Sequence, residues 1–217
     1  MPDAVIFDLD GVLLDSEQRW NEAKRALVGE VGGTWLDEAP QRMMGMSSPE
    51  WAAYMRDHLQ VPLDVDAINR EVVRRMEEGY EAGLPLLPGA LDAVRALAAR
   101  WPLGLASSAN REIIDLFLEV AGVRELFGAT VSSEEVARGK PAPDVYLAAA
   151  ERLGVAPGRC VAIEDSANGL RAAHAAAMTV IAVPNPHYPP DEDALALAAA
   201  SVDIPGDVTP ALVERVG

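Results

Sequence analysis

Six short apolar runs, at residues 4–7, 103–106, 129–132, 160–163, 180–183 and 201–204, punctuate the chain. These runs, bare of polar side chains at 4–7, 103–106, 160–163 and 180–183 and mixed with hydroxyl or acidic residues at 129–132 and 201–204, read as buried strands. Between the later runs the apolar residues recur at helical spacing instead. Leu91, Val94, Leu97 and Trp101 follow Pro88-Gly89, and Leu147 with Leu153 belong to a segment opened by Pro143 and closed by Gly154, the proline-in, glycine-out order of a helix. Strand and helix in repeated alternation predict an α/β fold, a doubly wound and mainly parallel Rossmann-like sheet with helices on both faces.

Residues 16–87 break that alternation. They hold only helical patterns, the clearest being Val65, Ile68, Val72, Val73, Met76 and Tyr80. The segment reads as an inserted helical domain, leaving residues 1–15 and 88–217 to form the α/β core. Asp15 followed three places later by Gln18 suits a helix start, and the turn-prone stretch from Gly83 to Gly89 closes the insert. The alanine-rich runs 172–177 and 194–200 are expected as helix.

A chain of 217 residues is long enough for one good core and a smaller appended unit. Its formal charge of −16, from 34 acidic and 18 basic residues, repels nucleic acids and anionic membranes unless basic residues cluster. The densest basic pair, Arg74-Arg75, is flanked by Glu71, Glu77 and Glu78 and reads as a solvated helix face. No nucleic-acid or membrane partner is expected. Cys160 is the only cysteine, so an internal disulfide or thiolate metal cluster cannot form, which fits a reducing cytoplasm. No basic leader precedes the first apolar run, and nothing approaches the ~18 apolar residues of a membrane span. A cytoplasmic monomer is expected.

The acidity sets a requirement: a site for phosphate in this chain must import positive charge from a lysine, a helix N-terminus or a metal ion. Asp8 and Asp10 lie two apart at the end of the first run and so share a face, with Gly11 permitting a sharp turn. Ligands of open parallel sheets bind at that edge. The second run leads into Ser107-Ser108 and then Asn110 at a helix start, a natural seat for phosphate. Lys140 sits between Gly139 and the prolines Pro141 and Pro143, in a stiff loop able to place one ammonium group. The run at 160–163 ends in Glu164-Asp165. Four acids gathered at one edge repel one another unless a divalent cation holds them, and oxygen ligands with a phosphate substrate favour magnesium. Each signal has an ordinary alternative: a chance acidic pair, helix caps, a loop lysine in solvent, and carboxylates favouring a helix dipole. Their joint placement at strand ends is what points to chemistry.

The segments D-L-D-G-V-L-L-D-S, A-S-S, G-K-P-A-P-D and E-D-S resemble the four motifs of the haloacid dehalogenase superfamily. The likeness is to the branch with a helical cap inserted after the first strand, and within it to β-phosphoglucomutase-like phosphatases and mutases. The resemblance implies a magnesium-dependent phosphatase acting on a small phosphorylated metabolite, such as a sugar phosphate. Asp8 would be the nucleophile and Asp10 the acid and base. Ser107 and Lys140 would hold the phosphoryl group, assisted by Ser108 and Asn110. Asp8, Asp10 through its carbonyl, Asp165 and Glu164 would surround Mg2+, Glu164 as ligand or as support. The acid two places after the nucleophile argues against dehalogenase and phosphonate-cleaving branches. The family's sugar-phosphate mutases carry a cap histidine and a cap arginine where an ungapped count puts Trp20 and Ser48, with Arg19 and Arg42 the nearest basic residues, so hydrolysis is favoured over mutase chemistry. Trp20, Arg42, Met43, Met46 and Trp51, around a loop from Gly45 to Pro49, are expected to line the cap side, although methionines and tryptophans also make ordinary cap core. Two other classes remain: a receiver domain, which is shorter and phosphorylates a third-strand aspartate, and a silent phosphometabolite-binding protein.

Overall fold

The computed structural model describes residues 1–44 and 46–217; Gly45, named above in the cap loop, lies outside them. The strands β1 (Ala4–Phe7), β2 (Leu103–Ser107), β3 (Phe127–Ser132), β4 (Cys160–Glu164), β5 (Thr179–Ala182) and β6 (Ala200–Ser201) form one sheet. Its order is β3-β2-β1-β4-β5-β6, and every adjacent pair is parallel. The helices are α1 (Glu17–Glu30), α2 (Ala39–Met43), α3 (Ser48–Asp57), α4 (Val65–Ala82), α5 (Ala90–Ala98), α6 (Arg111–Val120), α7 (Asp144–Leu153), α8 (Ala167–Ala175), α9 (Glu192–Leu195) and α10 (Pro210–Val216).

Every residue of β1 is fully buried, and its two faces feed different cores. Val5 and Phe7 join a cluster with Val94, Leu97, Ile113 and Phe117 of α5 and α6, while Ala4 and Ile6 join one with Tyr146, Ala149, Leu170 and Ala173 of α7 and α8. The absence of polar alternation in the sequence has this cause.

Between β1 and α5 lie the four helices α1–α4. The chain leaves and re-enters through a pair of extended segments held by Asp15 N–H donating to Pro85 O at 2.7 Å and Leu87 N–H donating to Leu13 O at 3.1 Å. The apolar faces of α1, α3 and α4, including Leu27, Trp51, Met55, Ile68, Val72 and Tyr80, are continuous with the α5–α6 side of the sheet core. Helix α4 packs on α6 as well as on α1 and α3.

Helix α7 lies where the sequence puts it, with Val145, Tyr146, Ala149 and Ala150 buried at i,i+4 spacing and Leu147 39% exposed. Two local expectations need correction. Helix α9 stops at Leu195, and Ala200 is already in β6. There the hydrogen bonds of a sheet edge override alanine's helix preference, and the strand is two residues long, beginning one residue before the apolar run at 201–204. Ser16, not Asp15, occupies the position before α1, and it makes no side-chain cap bond; its hydroxyl is used elsewhere, as shown below.

Candidate active site

Successive strands are added outward on one side of β1 as far as β3 and on its other side from β4 onward, so the order switches between β1 and β4, and clefts open at the carboxyl ends of strands at such a point. Asp8 follows the last residue of β1, and its N–H donates to Ile163 O of β4 at 3.0 Å. Ser107 ends β2, Glu164 ends β4, and Asp165 comes next. Backbone pairing therefore fixes all four side chains relative to one another.

Lys140 reaches the same point from the loop before α7. Its Nζ lies 2.8 Å from Asp8 Oδ1 and 2.5 Å from Glu164 Oε1, and all three side chains are almost wholly buried. Glu164 is saturated with donors. Oε1 also accepts from the Tyr146 hydroxyl at 3.0 Å, and Oε2 accepts from the N–H groups of Asp165 at 2.8 Å and Ser166 at 3.1 Å and from Ser166 Oγ at 3.2 Å. The glycine at position 169 makes room for it: a Cβ there would fall 1.7 Å from Glu164 Oε1.

Burial dominates the electrostatics. It pushes the Asp8 carboxyl up to about 8 against the opposing charge of Lys140. It raises Asp165 well above the carboxylate range, helped by the negative charges of Glu164 and Asp8. Burial would raise Glu164 too, but the charge and hydrogen bond of Lys140 overturn it and hold that group low. Burial also works against the Lys140 ammonium, yet Asp8 and Glu164 more than offset it, so its pKa is raised. Lys140 and Glu164 thus form the ionised pair of the site.

Asp8, Glu164 and Asp165 each offer an oxygen within 4.8 Å of the others. Asp165 Oδ2 is buried and finds no hydrogen-bond donor among the described residues. Gly11, at φ +81°, allows this approach, because a Cβ there would fall 1.9 Å from that oxygen. A buried carboxylate oxygen without a donor is costly unless it is protonated or meets a cation, so the donor set fits a hard divalent ion. Glu164 fits less well, since both its oxygens are engaged.

Asp10 is half-buried, and its Oδ1 accepts from the Ser16 hydroxyl in a very short bond and from Trp20 Nε1 at 3.2 Å. Burial raises its pKa, with those two bonds acting in opposition. Ser107 is fully buried, and its Oγ accepts the Ala109 N–H at 3.0 Å.

These groups floor a cavity of about 50 Å³. Asp8, Asp10, Ser107, Ser108, Lys140 and Asp165 face it from the sheet side, and Trp20, Lys24, Met43, Met44, Met46 and Trp51 from α1, α3 and the α2–α3 segment, with Glu17 also in its wall. Trp20, Met43, Met46 and Trp51 are therefore where the sequence puts them. Arg42 is not, being an exposed residue of α2. Asn110 is not in the wall either. Its Oδ1 accepts from Ser48 Oγ at 2.8 Å, and its Nδ2 donates to Asn69 Oδ1 at 3.1 Å and Glu134 Oε1 at 2.7 Å. It therefore joins the inserted helices to the core and is occupied by protein partners.

Sequence reasoning missed Tyr146, Glu17 and Lys24. Lys24 was findable, because it stands four places after Trp20 and thus on the same helix face. It is 6% exposed, and burial lowers its pKa to about 8 even though Glu17 and Asp10 act the other way. Burial likewise raises Glu17 to about 7, against Lys24.

Comparison with known proteins agrees with this geometry. Residues 2–177 match the haloacid dehalogenase-like hydrolase family. The chain is 36% identical over 190 residues to a probable pseudouridine-5'-phosphatase of Drosophila melanogaster, covering 83% of this chain and 81% of the relative. It is 36% identical over 189 residues to hexitol phosphatase B of Escherichia coli K12, covering 84% of each. The crystal structure of CbbY from Rhodobacter sphaeroides in complex with phosphate superposes with a TM-score of 0.84 at 29% identity, over 96% of both chains. On motif order, fold and sequence, this chain belongs to the haloacid dehalogenase-like hydrolases.

Proposed function

We propose that the protein is a magnesium-dependent phosphatase that cleaves a small organic phosphate monoester, a sugar phosphate or a similar metabolite, through a phosphorylated Asp8. The observation that carries this reading is the meeting of Asp8, Asp165 and Lys140 at one strand edge, with a buried Asp165 oxygen that lacks a donor. The phosphate-ester names of the relatives support it.

Asp8 Oδ attacks phosphorus in line with the leaving oxygen, and the P–O bond to the alcohol breaks. Asp10 gives that oxygen a proton, then takes one from the water that cleaves the acyl phosphate and frees Asp8. Ser107 and Lys140 hold the phosphoryl oxygens during both transfers. Lys140 is kept in place and charged by Glu164, which we assign to this support rather than to the ion. Asp8, the Asp10 carbonyl and Asp165 would hold Mg2+, which when bound neutralises phosphoryl charge and keeps both aspartates ionised. Phosphate monoesters are inert enough that accelerations reach ~10²¹, so electrostatic stabilisation matters as much as the nucleophile.

The segment 16–87 acts as the cap. A cavity of about 50 Å³ has room for a few waters, so an organic ester enters by the cap moving. Hydrolysis is favoured over return transfer to a bound sugar. Ser48 is buried against Asn110, Arg19 donates to Gly79 O and Gly83 O at 2.9 and 2.8 Å, and Arg42 is exposed, so none of the positions compared with the mutases' histidine and arginine presents a basic group to the cavity, where the cation from the inserted helices is Lys24 instead.

The test is a panel of sugar phosphates, nucleotides and p-nitrophenyl phosphate assayed before and after chelation, with thermal melting alongside. Phosphate release is expected only with Mg2+, and Mg2+ is expected to raise the melting temperature of the wild type but not of Asp165→Asn. Turnover that survives metal stripping, or equal stabilisation of both proteins, contradicts the reading.

A further inference from the structure

The chain has only two lysines, Lys24 and Lys140, and both line the cavity. Its other cations are arginines, so a lysine inside marks places where a compact ammonium is needed instead of a planar fork. Lys140 has two carboxylates in contact. Lys24 has none: among the described residues no acidic oxygen lies within ion-pair distance of its Nζ. Its contacts are aromatic, with Nζ 5.3 Å from the centre of the Trp20 ring and 4.9 Å from that of Trp51. Indole faces offset part of the cost of burying a cation, but they supply no counter-ion. The rings also fix where the ammonium stands, which a free lysine side chain would not do.

Trp20 links this cation to the chemistry. Its Nε1 donates to Asp10 Oδ1, the group assigned to protonate the leaving oxygen, while its face carries Lys24. Through Trp20, Lys24 stands near the group that serves the leaving oxygen, in the wall of the cavity that Ser107 and Lys140 also line. Glu17 in the same wall and Asp10 act on Lys24 as opposing charges, but from beyond contact distance, so the ammonium is left without a direct ion pair.

We propose that Lys24 binds a second anionic group of the substrate, a phosphate or a carboxylate on the part of the molecule that leaves. This rests on the phosphatase reading above. A substrate of this kind gives Lys24 the contact ion pair it lacks, and Trp20 and Trp51 pack against its carbon skeleton.

Two matched pairs test the inference: fructose 1-phosphate against fructose 1,6-bisphosphate, and glycerol 3-phosphate against 3-phosphoglycerate, each assayed for kcat and KM with Mg2+. The wild type is expected to favour the more anionic member of at least one pair by tenfold or more in kcat/KM. In Lys24→Met that preference is expected to collapse, chiefly through KM, and Lys24→Arg is expected to restore part of it. The bisphosphate and carboxylate arms show which anion is read. The wild-type ratio needs no variant, so a Lys24→Met protein that fails to fold does not shield the idea. Absence of preference in the wild type, or preference that persists in Lys24→Met, overturns it. If p-nitrophenyl phosphate is hydrolysed while no preference is seen, only this inference falls; if no ester is hydrolysed, the phosphatase reading falls with it.

Discussion

Replacing Asp8 with Asn is expected to reduce phosphate release by at least about 10⁴-fold on every ester the wild type accepts, while the protein stays folded. The loss is uniform because the variant lacks the nucleophile itself, and losses of a nucleophile fall on kcat whatever the leaving group. The fold survives for a structural reason. Asn keeps the shape of the side chain and an oxygen to accept from Lys140, and Lys140 keeps Glu164 at 2.5 Å. Burial already opposes the Asp8 charge, so removing that charge costs the metal-free protein little. Phosphate release and a thermal melt on the same preparation check both halves. A variant that retains substrate-dependent turnover would move the nucleophile elsewhere.

Lys140→Met is expected to differ, because it damages activity and stability together. It strands Glu164, which has no exposure at all, beside Asp8 with no counter-charge. Removing one partner of a buried pair costs about 3–5 kcal/mol, and for a chain of this size each kcal/mol moves the melting temperature by about 2–4 °C, so a drop of roughly 6–20 °C near pH 8 is expected. The sign of its pH dependence follows from the shifts. In the wild type Glu164 is held low by Lys140, so its contribution is present at neutral pH and is lost only as acid protonates it. Without Lys140, burial raises Glu164, and a raised group stabilises at low pH and ceases to as pH rises through its folded value. The stability gap between wild type and Lys140→Met should therefore narrow from pH 8 towards pH 5. A gap that is constant with pH would mean that lost packing, and not an uncompensated carboxylate, explains the variant.

The sheet was legible in the sequence because strands buried on both faces cannot hide their pattern: β1, β2, β4 and β5 appear as bare apolar runs. The edge strand β6 was legible only roughly, since two residues carry almost no pattern and sheet pairing decides their state. The acidic and basic residues at strand ends were legible for a related reason. Asp8 follows directly on β1 and Asp10 lies in the loop beyond it, so their nearness at the strand end, more than strand alternation, made them legible, and the glycines and prolines around Lys140 fix a loop. What spacing could not supply is the partner of each group. Asn110 and Ser107 look alike as residues at the start of a helix, but only contacts across the fold show Asn110 bonded to Ser48, Asn69 and Glu134. Glu164 and Asp165 are adjacent in the chain, yet one is saturated by donors and the other holds an oxygen with none. Tyr146 was hidden because an aromatic in the first turn of a helix reads as ordinary core. Arg42 misled for the opposite reason: a basic residue beside a glycine-containing loop looks like a ligand until its helix is seen to turn it outward.

The most direct measurement follows the phosphate itself. A reaction with Mg2+ and p-nitrophenyl phosphate, stopped within the first turnover and treated with borohydride, converts an aspartyl phosphate to homoserine that peptide mass spectrometry can locate. The expected result is homoserine at position 8 in the wild type, at no other aspartate, and absent from Asp8→Asn. Turnover in which position 8 is never modified, or modification that maps to Asp10 or Asp165, would contradict the account.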